Sequence, residues 1–386
     1  MTNSGHFDFD TPVERRGTAS MKWDKYKGRD IIPMWLADMD FASPPAVIRA
    51  MRRRVEYGVF GYTLTPDELN DQVIAMLEQT YAWSVLPEWL VWLPGLVTGL
   101  NVACRAVGDE GDDVMTAVPV YPPFLSAATL SRRGLIKVPL METDNHWLFD
   151  FNRLEQMVTD KTRLFILCNP HNPVGRVYTR NELANLAAFC NRHDIAICAD
   201  EIHCDLILDK EKVHIPIATL GPEVATRTIT MMAPSKTFNL PGLGCAFAVI
   251  SDQKLRRRFK RAMAGIVPRP NVLGYVAAMA AFSECADWHA ALLDYLRGNL
   301  ETVTRAIEQM APFSIAPVEA TYLAWIDMRA SGIENPVRFL EDAGVGLQDG
   351  IEFEGPGFAR LNFGCSRSLL EKALARMQTA MEMLLH

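Results

Sequence analysis

The chain reads as an α/β protein: a large unit with a mostly parallel sheet between helices, then a smaller α/β unit. Three observations carry that reading. Short, continuous apolar runs alternate with helix-like runs between about residues 89 and 250. Strands of a parallel sheet look like this, because crossover helices bury both of their faces. The texture changes near Asp287, where a long helical pattern opens. And 386 residues, 49% hydrophobic and 22% charged, suit one large and one smaller core.

Residues 1–44 carry Pro, Gly and charge with little periodicity, and read as an arm packed on the body or on a partner subunit. Ser43-Pro44-Pro45 is expected to start a helix reaching about Tyr57, with Ser43 as N-cap and Pro in the first turn. Thr65-Pro66-Asp67-Glu68 reads as a capping box, and Leu69, Val73 and Leu77 share one face of the helix it opens. Residues 89–93 are expected as a strand, with Pro94-Gly95 leading into a helix through Val107. A strand at 114–118 precedes another helix. The strand 164–168 ends at Asn169-Pro170-His171-Asn172-Pro173-Val174-Gly175. Thr179-Arg180-Asn181-Glu182 is a second capping box, for a helix to about Arg192. Strands at 195–198, 226–232 and 245–250 complete the large unit. A helix (287–310), strands at 322–328 and 360–363, and a closing helix from about Ser366 make the smaller one.

Charge and composition exclude several classes. The net charge is -7 and no basic field covers the chain, which argues against nucleic acid as the main partner. The basic clusters at 52–54 and 256–261 fall in helix-like segments and read as solvated faces. The polar, acidic start does not resemble a secretory signal, and the apolar stretch 272–282 is too short to span a membrane. Eight cysteines without a C-x-x-C pair read as free thiols in a reducing compartment, so a cytoplasmic location is expected.

In such sheets ligands bind beyond the carboxyl ends of the strands, and several chemistry-bearing residues collect there. Pro94-Gly95-Leu96-Val97-Thr98-Gly99 is a strand-to-helix turn that offers free N–H groups to a phosphate. Tyr121 follows a strand end, where an aromatic can stack on a flat ligand or simply pack. Two X-Pro bonds stiffen the loop that aims Asn172. Asp200 ends an apolar strand, where a carboxylate needs a cation, such as a protonated pyridine nitrogen, or else acts as a cap or surface acid. His203 has no metal-ligand spacing to His171 or Cys204, so no metal is expected. Lys236 lies in Pro234-Ser235-Lys236-Thr237-Phe238-Asn239 between two apolar runs. Alone it reads as a solvated loop residue; with a lowered pKa it is an amine nucleophile or base. Arg360 opens Arg360-Leu361-Asn362-Phe363, and can grip a carboxylate with two parallel hydrogen bonds or lie at the surface. Taken together, the phosphate turn, the aromatic, Asn172, Asp200 and Lys236 match the needs of pyridoxal 5'-phosphate.

At these residues the chain resembles the fold-type I pyridoxal-phosphate enzymes of the aminotransferase class I/II superfamily, over almost its full length. Within it the C–S lyase branch (cystathionine β-lyases of the MalY/PatB type) is most similar. The Asn-Pro loop and the Asp200 and Lys236 segments mark the superfamily. Residues 34–41 (Met-Trp-Leu-Ala-Asp-Met-Asp-Phe) and Asp200-Glu201-Ile202-His203 mark the branch. The resemblance implies a seven-stranded large domain at 45–286, a small domain at 287–386, and an arm at 1–44 that joins the small domain. It implies Lys236 as the imine-forming amine, with Tyr121 and Asp200 also catalytic. Asp200 is then the partner of the ring nitrogen, Asn172 of the ring hydroxyl, and Tyr121 the stacking ring. Val97, Thr98 and Ser235 are expected on the phosphate, with Tyr62 reaching it from the partner of a homodimer that shares its active sites, and His203 beside the cofactor. Arg360, Ala37 and Asn172 are expected on the substrate. The chain departs from the wider aminotransferase pattern in having His203 for a Tyr, Ala233 for a hydroxyl and Gly244 for an Arg.

The implied reaction is α,β-elimination. L-Cystathionine or a related S-substituted L-cysteine gives a thiol, pyruvate and ammonia, with Lys236 taking the Cα proton. An aminotransferase using the same Lys236 and Arg360 is the first rival. A pyridoxal-phosphate-binding regulator acting through a partner is the second.

Overall fold

The computed structural model describes residues 7–143 and 146–385. Seven strands form its main sheet: β1 (Leu90–Leu93), β2 (Asp113–Val118), β3 (Gly134–Pro139), β4 (Thr162–Cys168), β5 (Ala196–Asp200), β6 (Thr228–Met232) and β7 (Ala246–Val249). Their order across the sheet is β1-β7-β6-β5-β4-β2-β3. Neighbours from β3 to β6 run parallel, and β7 is antiparallel to both β1 and β6. Alternation along each strand feeds two cores. Val114, Leu164, Ile166, Cys198 and Met231 pack on one face, and Met115, Phe165, Leu167, Ile197 and Ala199 on the other. Each large apolar side chain buried this way stabilises the fold by roughly 1.5–3 kcal/mol. Phe165 is fully buried, so Phe165→Ala costs about 3–5 kcal/mol.

The mostly parallel, doubly covered sheet agrees with the sequence reading; some details do not. β3 carries no continuous apolar run, because it is an edge strand and mostly half-exposed. It supplies the seventh strand. Thr226 closes the short helix Pro222–Thr226, and β6 starts two residues later. Three helix starts differ instructively. For α4 (Arg180–Arg192) both halves of the Thr179/Glu182 box form. For α1 (Pro45–Tyr57) Ser43 does not cap; its Oγ donates to the Asn239 carbonyl at 3.0 Å. For α2 (Asp67–Tyr81) Thr65 does not cap either; its Oγ1 donates to Tyr275 Oη at 3.0 Å. Tertiary partners claimed both hydroxyls.

A second, antiparallel sheet joins β8 (Ser314–Ile315), β9 (Leu323–Asp327), β10 (Gln348–Asp349) and β11 (Phe358–Asn362) in the order β8-β9-β11-β10. The arm is tied to this part. Ile32–Pro33 pairs in parallel with Val345–Gly346, and Asn362 N–H donates to the Met34 carbonyl at 2.8 Å. The segment after Pro33 therefore runs between β11 and the loop that follows β6.

Candidate active site

A cavity of about 210 Å³ opens at the carboxyl ends of the central strands. Val97, Thr98, Tyr121, Asn172, Asp200, His203, Ser235, Lys236 and Ala37 all line it. Arg360 lies behind it, bonded to Asn172. Tyr62 is fully exposed and lies outside it.

One wall is the N-terminus of α3 (Leu96–Ala106). Gly95 precedes it in an extended conformation, so the first N–H groups have no partner within the helix. With the positive end of the helix dipole, this makes an anion site. Gly99 allows α3 to lie against β6: a Cβ there would stand 2.3 Å from Met231 Sδ. Gly244 lines the cavity beside this turn with φ +59°, and a Cβ there would lie 3.1 Å from the Pro94 carbonyl. A branched or charged residue at that position is therefore strained. Ala233 is buried under the loop and adds no polar contact.

Asp200 ends β5 and is buried. It accepts a hydrogen bond from Ile202 N–H at 3.2 Å. Burial pushes its carboxyl up to about 7, only partly offset by that N–H and by Lys236. A cationic ring nitrogen would complete it. His203 is buried, and its Nδ1 has no partner among the described residues. Burial, with Lys236 and Arg360 nearby, holds its imidazole neutral, well below the usual range. The other histidine weighed as a metal ligand, His171, spends both ring nitrogens, on the Pro119 carbonyl and the Tyr178 hydroxyl, each at 2.8 Å.

Lys236 is half-buried in the cavity wall. Burial and then the like charge of Arg360 pull its amine down to about 8. Its Nζ donates to the Ala37 carbonyl at 2.5 Å. Arg360 is almost fully buried and forms no ion pair with a carboxylate among the described residues. Nη1 donates to Asn172 Oδ1 at 2.9 Å; Nη2 donates to the Trp35 carbonyl at 2.9 Å and to Gln348 Oε1. Its Nε has no partner among the described residues, and burial pulls the guanidinium down to about 10. Because Arg360 occupies the Asn172 oxygen, the Asn172 NH₂ is the donor left for the cavity it lines.

These observations fit pyridoxal phosphate without adjustment. An anion site shares the cavity with a lysine amine of lowered pKa, and a buried carboxylate and a buried guanidinium form no ion pair among the described residues. Asn239 and Asn362 within their runs, and Tyr322 at the start of its expected strand, carry no local sign of a role in the site. All three bind the backbone of residues 36–41. No local pattern signals that, because the partner lies about 200 to 326 positions away.

Fold and site define a fold-type I pyridoxal-phosphate protein. The family follows directly: the model of the aminotransferase class I and II family matches residues 29–377, and the chain belongs to that family. It is 36% identical to cystathionine beta-lyase PatB of Bacillus subtilis (strain 168) over 390 residues, spanning 97% of this chain and 100% of that protein. The solved structure of OvoB is 44% identical and superposes with a TM-score of 0.95, covering 97% of this chain and 99% of that one. The structure of cystalysin from Treponema denticola, which contains a pyridoxal 5'-phosphate cofactor, is 30% identical with a TM-score of 0.95, covering 98% and 100%.

Proposed function

We propose that this protein is a pyridoxal-phosphate-dependent carbon–sulfur β-lyase acting on L-cystathionine or related S-substituted L-cysteines. The observation that carries it is the combination of Lys236, Asp200 and Arg360, three buried or half-buried groups around one cavity that form no ion pair among the described residues. Likeness to PatB and to cystalysin supports the lyase branch.

When bound, the cofactor supplies an electron sink conjugated to the substrate Cα. The protein does the rest. The α3 N-terminus with Val97 and Thr98, and Ser235, would hold the phosphate. Lys236 would hold the group covalently, and its free amine, lowered to about 8, is well matched to taking the Cα proton. Asp200 would face the ring nitrogen and favour its protonated form. Tyr121 would pack on the ring, the Asn172 NH₂ would be its hydroxyl's donor, and neutral His203 would line that side. Arg360 takes the substrate α-carboxylate, with Ala37 lining the same end. The thiolate leaves from Cβ, and pyruvate and ammonia follow by hydrolysis.

Val59, Phe60, Tyr62 and Leu64 form an exposed apolar run. It supports a homodimer in which Tyr62 reaches the partner's phosphate site. Eight free, buried cysteines agree with a reducing, cytoplasmic setting, and no helix of the described residues is long and apolar enough to cross a membrane. The test is to incubate the holoprotein with L-cystathionine, L-cysteine and other S-substituted cysteines. Pyruvate and thiol in equal amounts are expected. Steady 2-oxo acid exchange without thiol release would make it an aminotransferase, and cofactor binding without turnover would make it a regulator.

A further inference from the structure

We propose that residues 35–41 form a strap that holds the Lys236 amine between its chemical roles, and that Asn239 and Asn362 are the positioning residues that set this strap. The proposal rests on the reading of Lys236 as base. Its ground is a run of five carbonyls. Trp35 O accepts from Arg360 Nη2 at 2.9 Å. Leu36 O accepts from Asn362 Nδ2. Ala37 O accepts from Lys236 Nζ at 2.5 Å and from Tyr322 Oη at 3.0 Å. Asp38 O accepts from Asn362 Nδ2 at 2.7 Å and Lys22 Nζ at 3.2 Å. Met39 O accepts from Asn239 Nδ2 at 2.9 Å and Arg15 Nη1 at 3.3 Å.

This stretch belongs to no strand, yet the carbonyls of residues 35 to 39 and of Phe41 each accept from a side chain elsewhere in the chain. Its shape is therefore imposed from outside. Asn239 is three residues past Lys236 and grips the strap three ways. Its Oδ1 accepts from Met39 N–H at 3.0 Å, and its Nδ2 also donates to the Phe41 carbonyl at 2.8 Å. Its own φ of +54° is one that asparagine tolerates well. Asn362 is two residues past Arg360 on β11, hence on the same strand face. It bridges the carbonyls on either side of Ala37. The two amides thus leave the Ala37 carbonyl pointing at the lysine.

The chemistry needs such an acceptor. When Lys236 takes the Cα proton, a C–H bond breaks and an N–H bond forms, leaving an ammonium in a poorly hydrated site. Without a partner that charge is costly. A carboxylate would hold it too well and raise its pKa; a carbonyl bonds the ammonium but still lets the proton go. The strap supplies a neutral acceptor at 2.5 Å.

The test uses the holoprotein and three variants: Asn239→Gly, Asn362→Leu, and Thr179→Ala as a stability control that removes the α4 cap. Exchange of the Cα hydrogen of L-alanine into D₂O is followed against pH, with kcat and KM separated. Amide hydrogen exchange over residues 36–41 is measured in the cofactor-free protein. Both asparagine variants are expected to lose kcat for exchange by about 10- to 100-fold with KM little changed. Their pH profile should move to lower pH, because losing the acceptor disfavours the ammonium, and the strap amides should exchange faster. Thr179→Ala should move none of these. Wild-type rates and profiles in both variants, or an equal loss in Thr179→Ala, would overturn the proposal. A wild-type protein that exchanges the hydrogen but releases no thiol from S-substituted cysteines removes the lyase reading and leaves this one standing.

Discussion

Asp40 and Asp200 are both buried aspartates in one chain, and they titrate in opposite directions. Asp40 accepts from Lys22 Nζ at 2.8 Å, Trp23 Nε1 at 2.8 Å and Arg15 Nη1 at 2.6 Å. Burial disfavours its charge, but Lys22 above all, with Trp23 and Arg15, holds the carboxyl below the usual range. Asp200 is desolvated as well, yet one backbone N–H and the nearby Lys236 fall short of restoring it, and its carboxyl sits near 7. A buried charge with its partners in place is architecture. A buried charge without them is a place kept for a ligand.

The comparison can be broken by substitution, in descending order of effect. Lys236→Ala removes the base and the covalent attachment. Pyruvate release should fall on the order of 10⁴-fold, while the α3 N-terminus still holds cofactor detectable by absorbance. Normal pyruvate production in that variant would contradict the mechanism. Asp40→Ala leaves Lys22, which is fully buried, without its close carboxylate. Unfolding free energy should drop by about 3–5 kcal/mol in denaturant titrations. Asp200→Asn should do the reverse. Turnover falls on the order of 10²–10³-fold, and the cofactor-free protein at pH 8 is no less stable. Arg360→Lys loses the planar fork and should raise KM for amino acids, at a cost of roughly 1.5–3 kcal/mol in kcat/KM.

The smallest effect is in pH, where the two aspartates have opposite signs. Asp40 has a folded pKa below its unfolded value of about 3.9. It contributes stability that is present above that value and lost as pH falls through the folded pKa. Asp200 has a folded pKa of about 7. In the cofactor-free protein its folded form binds the extra proton, so stability falls as pH rises from about 4 to 7. Thermal melts of the Asp40→Asn and Asp200→Asn variants against pH separate the two slopes.

Much of this was legible in the sequence, for reasons that also mark the limit. β4, β5 and β6 announce themselves as apolar runs because both of their faces are buried, and strand ends then point to Asp200 and Lys236. The Thr179 box forms with its hydroxyl engaged by Glu182 and by no other side chain among the described residues. Thr65 shows the same box pattern and Ser43 an N-cap signal, but their hydroxyls are taken by Tyr275 and Asn239 from distant parts of the chain. β3 was hidden because an edge strand need not be apolar. The clamps Asn239, Asn362 and Tyr322 act on backbone carbonyls of a remote segment, which leaves no periodicity to read.

The most direct measurement follows the Asp200 carboxyl itself, by ¹³C chemical shift in aspartate-labelled protein assigned through Asp200→Asn. Titration near 7 is expected without cofactor, and a carboxylate ionised across the whole neutral range once pyridoxal phosphate is bound. A carboxyl that titrates at the same pH in both forms would contradict this expectation.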